Sequence, residues 1–418
     1  MPKSLYDKVR SRSALEKAWR VVHENGITSK SETTRKAINE FAVNSYKHID
    51  RIYRQLLKRR FEFLPSEGIL QQKPGKSSKR PIVKSPIENR IVQRSILNTL
   101  QSHPSLKKYF ITETSFGGIK NRSVSDALRR AYETIQTGAE YYILSDIEAF
   151  FTKIPKPTVI SIIQSITTDI EFLDLFEKAI TVELSNMEQL GTDTDAFPIY
   201  DIGVAQGSCL SPLLGNILLY EFDKEMNKGD ITCLRYIDDF IILAPDRKAI
   251  NAAFKRANKL LNKYDLTAYN PKDNKDKSEL GPSKSGFSFL GCDIRPGMIR
   301  PNKNSQKRLL TNLDKVFTKS LNLMRNPNLL VKKHRTVIET LNDVSNIMKG
   351  WGNQYSYCND LNLMKNIDKE VDKKISKYLS HYDNYKTRFE LKGLLLNRRR
   401  LLGVHLLIDS NKDPIIDG

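Results

Sequence analysis

The chain has 418 residues, and its 68 Lys and Arg against 48 Asp and Glu leave a net charge of +20, which makes a polyanion, nucleic acid above all, the leading partner class. Hydrophobic residues at 39% and charged residues at 28% exclude a disordered chain and describe a globular protein with a heavily hydrated surface and room for two or three domains. The four cysteines, Cys209, Cys233, Cys292 and Cys358, form no C-x-x-C pair, which excludes a zinc module and a disulfide framework. Neither a signal-peptide core nor a run of 18 apolar residues occurs, so we expect a cytoplasmic protein with buried thiols and no membrane partner.

In chain order, residues 1–60 read as a helical extension, with apolar residues at three and four spacing in "SALEKAWRVV" and "HIDRIYRQLLKRRFEF". "QQKPGKSSKRPIVKSP" then predicts two short strands joined by a basic loop, and "IENRIVQRSILNTLQ" returns to helical spacing. From about residue 140, β-rich runs, "EYYILSDIEAFF" and "CLRYIDDFIILA", alternate with helical stretches such as "KPTVISIIQSITTDIEFLDLFEKAI" and "SPLLGNILLYEFDKEM". Beyond about residue 300 the chain is again mostly helical. The fold class is α+β, with no internal repeat.

"CLRYIDDFIILA" predicts a hairpin with Asp238 and Asp239 at or beside its turn. Two carboxylates this close raise one another's pKa and repel unless a cation lies between them, although aspartate pairs are also ordinary turn formers. Asp146 ends a second apolar strand, "ILSD", where it reads either as a strand-end residue or as a third carboxylate. With it, the set suits Mg²⁺, which takes oxygen ligands from one or two carboxylates and substrate phosphates. In "GVAQGSCLSPLLGNILL", Gly203 and Gly207 allow close backbone approach, and Gln206 and Ser208 offer hydrogen-bonding groups. Ser211 and Pro212 would open a helix as its cap and first turn.

"SDIEAFF", "GVAQGSCLSPLLGNILL" and "RYIDDFIILA", in that order, resemble the three central palm motifs of reverse transcriptases, in wording close to group II intron and related bacterial enzymes. "KRPIVKSPIENRIVQRSIL", "SFGGIKNRSVSDAL", "FSFLGCDI" and "IMKGWGNQYSY" resemble that group's fingers, glycine and arginine-serine, primer-grip and thumb segments. The resemblance implies a right-hand polymerase: fingers at 61–135, a palm with antiparallel sheet at 136–299, a helical thumb at 300–390 and a basic tail at 391–418.

It further implies that Asp146, Asp238 and Asp239, with the backbone carbonyl of Ile147, hold two Mg²⁺ ions, Mn²⁺ being an alternative. Phe151 stands where the family has a bulky gate against the sugar 2′-hydroxyl, beside Phe150, read as core. Arg80 matches a finger residue on the triphosphate, with Lys79 and Lys76 as general phosphate contacts or solvated charges. Lys277 matches the lysine that protonates pyrophosphate, with Lys275 nearly as well placed. Gln206 and Gly207 would line the template and dNTP pocket, and Phe289, Leu290 and Gly291 would carry the primer end. The implied partners are dNTPs, a primer or cDNA strand and a structured non-coding RNA template; oligomeric state stays open.

The sequence departs from intron-encoded enzymes in carrying Ile237 where they usually have alanine, in lacking a Gly-x-Asp-Gly stretch near the start, and in showing no Cys/His nuclease module after the thumb. These departures favour a free-standing bacterial reverse transcriptase that copies a dedicated non-coding RNA in antiviral defence. The alternative is a group II intron maturase and reverse transcriptase without an endonuclease.

Overall fold

The computed structural model describes residues 4–72 and 79–410, so Lys76 lies outside the described residues. The chain forms two compact units, Met1–Ser283 and Lys284–Gly418. Among the described residues, no helix is long and apolar enough to cross a membrane.

In the first unit, β1 (Glu67–Gln72) and β2 (Lys79–Lys84) form an antiparallel hairpin. β3 (Tyr141–Asp146), β4 (Thr232–Tyr236), β5 (Asp239–Ala244) and β6 (Ser278–Pro282) form an antiparallel sheet in the order β4-β5-β3-β6. β5 is internal, and every residue from Phe240 to Ala244 is fully buried. That explains why "FIILA" is continuously apolar instead of alternating: both of its faces are covered. The helices Val124–Gln136 and Arg247–Leu261 pack against this sheet.

The helix Ile87–Gln101 ties the N-terminal helices to the rest of the unit through the buried polar side chains Asn89, Gln93 and Ser95, each of which finds a partner. Ser95 donates to the carbonyl of Val9 at 2.7 Å and Gln93 to that of Ala179 at 2.9 Å. Asn89 brackets Leu64, accepting from its N–H at 3.1 Å and donating to its carbonyl at 2.7 Å. Paired in this way, the buried groups add net stability instead of carrying an unmet desolvation cost.

Two helical expectations are corrected. The helix expected through "HIDRIYRQLLKRRFEF" stops at Leu57, because Arg59 takes a left-handed conformation (φ +56°) and the N–H of Arg60 turns back to the carbonyl of Gln55 at 2.8 Å. Phe61 is buried and Phe63 partly buried, their rings edge to face with centroids 5.1 Å apart. The stretch from Lys156 to Ile180 is two helices, Lys156–Gln164 and Ile170–Ile180. Asp169 caps the second by accepting from the N–H of Phe172 at 3.0 Å, and its other oxygen accepts from Tyr6 N at 2.8 Å.

The segment following Ile180 braces the β1–β2 hairpin. Ser66 N–H donates to the carbonyl of Glu183 at 2.7 Å, and Asn186 clasps Gly68 on both sides, at 2.8 Å to its N–H and 3.0 Å to its carbonyl. Val83, Leu184, Phe197 and Ala205 close a small separate core beneath it.

In the second unit, β7 (Phe287–Phe289), β8 (Cys292–Arg295) and β9 (Met298–Pro301) form a three-stranded antiparallel sheet, followed by the helices Lys303–Leu321, Val337–Gln354 and Leu361–Leu391. Leu309, Leu313, Phe317 and Tyr378 lie in its core, and Thr336 with Glu339 closes a capping box at the start of Val337–Gln354. Cys292 and Cys358, far apart in sequence, are free thiols whose sulfurs lie 3.9 Å apart.

Asn186→Ala removes both bonds to Gly68. A loss of about 1–2 kcal/mol in unfolding free energy is expected, with faster amide exchange in β1 and β2; unchanged exchange there would contradict the brace.

Candidate active site

Strand register brings the three aspartates together. Asp146 is the last residue of β3 and Asp239 the first of β5, and the two are direct partners in the antiparallel pair. Asp238 belongs to the turn between β4 and β5, and its carbonyl accepts from Ile147 N–H at 3.0 Å, which fastens the turn to the end of β3. Burial, then the hydrogen-bonded carboxyl of Asp146 and the charge of Asp238, push Asp239 up to about 9. Asp238 is raised as well, by burial and by the charge of Asp146.

Lys277 forms an ion pair with Asp146. Burial alone would lower its pKa, but the Asp146 carboxylate outweighs that and leaves the ammonium above its ordinary value. Both Lys275 and Lys277 are exposed, but Lys277 lines the cleft and pairs with Asp146, which tells apart two lysines that the sequence left nearly equal. Among the described residues there is no ready-made cage of three or more His, Cys, Asp and Glu. The donor set is still all oxygen, and two or three crowded carboxylates completed by phosphate oxygens fit a hard divalent cation.

A cleft of about 520 Å³ opens beside these carboxylates. Arg80, Asp146, Ile147, Phe151, Gln206, Gly207, Asp238 and Lys277 all line it. β2 reaches it by docking on the loop before the helix Ser211–Leu218: Val83 N–H donates to Gln206 O at 2.8 Å. Gly207 is required there. Its φ is +119°, and a Cβ would stand 2.8 Å from the carbonyl oxygen of Val83. Phe151 is half-buried and its carbonyl accepts from Val204 N–H at 2.7 Å, whereas Phe150 is core and lies where a Cβ on Gly215 would come within 2.8 Å of its ring. Lys79 is exposed on β2.

Ser211 is not the helix cap. Leu210 is, and Ser211 occupies the first helical position, from which its hydroxyl donates to Ala205 O at 2.7 Å and shapes the loop instead. Phe289 ends β7 in the second unit, and Leu290 and Gly291 form the β7–β8 turn, both left-handed (φ +47° and +84°). The carbonyl of Gly291 accepts from Ser305 Oγ at 2.9 Å.

Sequence reasoning passed over Arg235, Asp223 and Asn216. Arg235 is buried behind the hairpin, paired with Asp223 through two hydrogen bonds, and hydrogen-bonded to Asn216. Burial pushes the Asp223 carboxyl up, opposed by the guanidinium. The signal was present: "CLRY" carries a charge inside an otherwise apolar strand, and "LLYEFDKEM" carries one on a helix face that is otherwise core.

A small antiparallel sheet that carries opposed carboxylates at one end, beside a cleft of nucleotide size, has the architecture of an α+β polymerase. Residues 71–294 match the model of the reverse transcriptase (RNA-dependent DNA polymerase) family, and the chain belongs to that family. It is 30% identical over 177 residues to an uncharacterized 91 kDa protein in a cob intron of Schizosaccharomyces pombe, covering 42% of this chain and 20% of that protein. It is 24% identical over 274 residues to protein YkfC of Escherichia coli, covering 57% and 68%. To the group II intron-encoded protein LtrA of Lactococcus lactis it is 25% identical over 206 residues, covering 49% and 32%. The chain thus spans from a fifth to about two thirds of the length of these relatives. Among solved structures, a telomerase from Candida tropicalis aligns over 57% of this chain and 55% of that one, at 15% identity and a TM-score of 0.42. A Cas6-RT-Cas1–Cas2 complex aligns over 62% and 43%, at 18% identity and a TM-score of 0.35.

The raised Asp239 makes stability depend on pH. Between about 4, where an unfolded aspartate loses its proton, and about 9, the metal-free native state holds a proton that the unfolded chain has released, so stability falls as pH rises. The slope is of the order of 1 kcal/mol per pH unit. Melting curves of metal-free protein from pH 5 to 9 should show this decline in the wild type, reduced in Asp239→Asn and reduced again when Mg²⁺ is added. Parallel profiles for the two proteins would contradict the assignment.

Proposed function

We propose that this chain is an RNA-directed DNA polymerase that copies a dedicated, structured non-coding RNA into DNA in the bacterial cytoplasm, as part of defence against phage. The observation that carries the polymerase reading is the single cleft shared by Asp146, Asp238, Arg80, Phe151, Gln206 and Lys277, contributed by segments far apart in the sequence. Each has a task in nucleotidyl transfer. The reaction joins a primer 3′-oxygen to the α-phosphorus of a dNTP, breaks the bond to the bridging oxygen and releases pyrophosphate.

Arg80 offers a planar fork of donors to the triphosphate. Phe151 sets an aromatic wall against a 2′-hydroxyl and so favours deoxynucleotides. Gln206 and the open backbone at Gly207 receive the base pair and sugar. Lys277, held protonated by its carboxylate neighbour, is the acid for the pyrophosphate oxygen. Asp146, Asp238, Asp239 and the carbonyl of Ile147 would hold two Mg²⁺ ions, whose charge activates an attacking oxygen and stabilises a leaving one. Mn²⁺ shares the oxygen preference. In the second unit, Phe289, Leu290 and Gly291 would bear the primer end, and the excess of Lys and Arg supplies sequence-tolerant contacts to a duplex backbone.

Support for the defence role comes from Ile237, which stands in the hairpin where intron-encoded enzymes usually carry alanine. The likeness to LtrA, a group II intron-encoded protein, favours a second reading in which the chain serves an intron as maturase and reverse transcriptase. The two are separated by expressing the protein with its native flanking DNA, recovering it and sequencing the bound RNA and DNA, beside an Asp238→Ala, Asp239→Ala double variant. The defence reading expects one discrete neighbouring RNA, with complementary DNA in the wild type alone. Intron RNA bound equally by both proteins, without complementary DNA, would replace it with the maturase reading.

A further inference from the structure

The buried ion pair behind the hairpin takes no part in the chemistry above. Arg235 is 1% exposed and Asp223 3% exposed, so two charges have been stripped of water close to the catalytic turn. An apolar pair of similar volume would fill the same space without that desolvation. What an apolar pair cannot do is donate to a carbonyl. Arg235 reaches Asp223 through Nε at 2.7 Å and Nη2 at 2.5 Å, which leaves Nη1 to donate to the carbonyl of Ile237 at 2.9 Å and to Asn216 Oδ1 at 3.1 Å. Asn216 is fixed in turn, since its Nδ2 donates to the carbonyl of Gly117 at 3.0 Å. The backbone of Arg235 is held from outside the sheet: its N–H donates to Thr114 O at 2.8 Å, and its carbonyl accepts from Phe116 N–H at 2.9 Å.

Ile237 is where such a hold is needed. Its φ is +65°, a left-handed conformation that a β-branched residue strongly disfavours. Left to itself, the turn would relax toward negative φ, and Asp238 and Asp239, the next two residues, would swing away from Asp146. The wall opposite is equally specific: a Cβ on Gly117 would stand 2.4 Å from Ile237 Cγ1 and 2.6 Å from its backbone nitrogen, so only glycine lets the turn lie there.

We propose that Arg235 is a positioning residue for polymerisation: anchored by Asp223 and steered by Asn216, it clamps the carbonyl of Ile237 and holds the left-handed turn that aims Asp238 and Asp239 at Asp146. The inference rests on the polymerase reading of those carboxylates, and its test is arranged so that either can fail alone.

Removing Arg235 by itself strands Asp223 as an unpaired buried charge, so the informative protein is the pair Asp223→Leu, Arg235→Met, which keeps the volume and loses both the charges and the clamp. Its melting temperature is expected within about 5 °C of wild type. Primer extension should lose about 100-fold in kcat, with the KM for dNTP nearly unchanged, because the reacting groups are misplaced while the substrate pocket is intact. Mn²⁺ binding, followed by electron paramagnetic resonance without substrate, should weaken about tenfold. Adding Ile237→Gly to the pair makes the left-handed turn accessible without a clamp and should restore about tenfold in kcat.

A folded pair with wild-type kcat and Mn²⁺ affinity would overturn the proposal, as would a loss that glycine at 237 does not relieve. Should the pair not fold, Asn216→Ala leaves the ions in place and removes the steering; unchanged kcat and Mn²⁺ affinity there would overturn it equally. If the wild type extends no primer, the polymerase reading falls, and the Mn²⁺ titration alone still decides the clamp.

Discussion

The structure depends on one electrostatic constraint: carboxylates that repel are held face to face. The pairing of Asp146 with Asp239 across β3 and β5 is set by strand register, and a slip of one residue would turn either side chain to the other face of the sheet. The register is protected by the rest of β5. Phe240 to Ala244 are buried on every side, so the strand cannot slide without exposing its apolar run. The energy that holds Asp239 opposite Asp146 is therefore largely hydrophobic and supplied along the strand, while the turn that carries Asp238 is held locally, where Arg235 donates to the carbonyl of Ile237. The cost appears in the raised Asp239, pushed up by burial first and then by its carboxylate neighbours, and a cation is the natural way to relieve it.

The cleft arises from a second constraint, the docking of the β1–β2 hairpin on the glycine loop. The bond from Val83 to Gln206 and the close approach at Gly207 fix the depth of β2, and Arg80 and Ile82 thereby reach a cleft otherwise lined by residues between Asp146 and Lys277. Asn186 and the small core around Phe197 brace the same hairpin from its other side. These segments meet because loops far apart in sequence need one another's backbone groups, not because any one motif specifies the pocket.

Much of this was legible in the sequence, and the parts that were not have physical reasons. The strand carrying "FIILA", the helix Ile87–Gln101 and the convergence of Asp146, Asp238 and Asp239 could be read because apolar periodicity and stranded charges are local signals. The stop after Leu57 was missed because the basic residues beyond it keep helical propensity, and the stop is set by a left-handed Arg59. Ser211 looked like a cap by composition, yet the loop claims its hydroxyl. Arg235 and Asp223 escaped because each alone looks like a stray charge; only the fold brings them into contact.

The most direct test of the central claim, that these carboxylates and their cleft form a templated nucleotidyl-transfer site, is extension of a DNA primer on an RNA template by purified protein with Mg²⁺ and either dNTPs or NTPs. The account predicts extension with dNTPs, little with NTPs, and none from Asp239→Asn at equal folding. Extension by Asp239→Asn at the wild-type rate would contradict it.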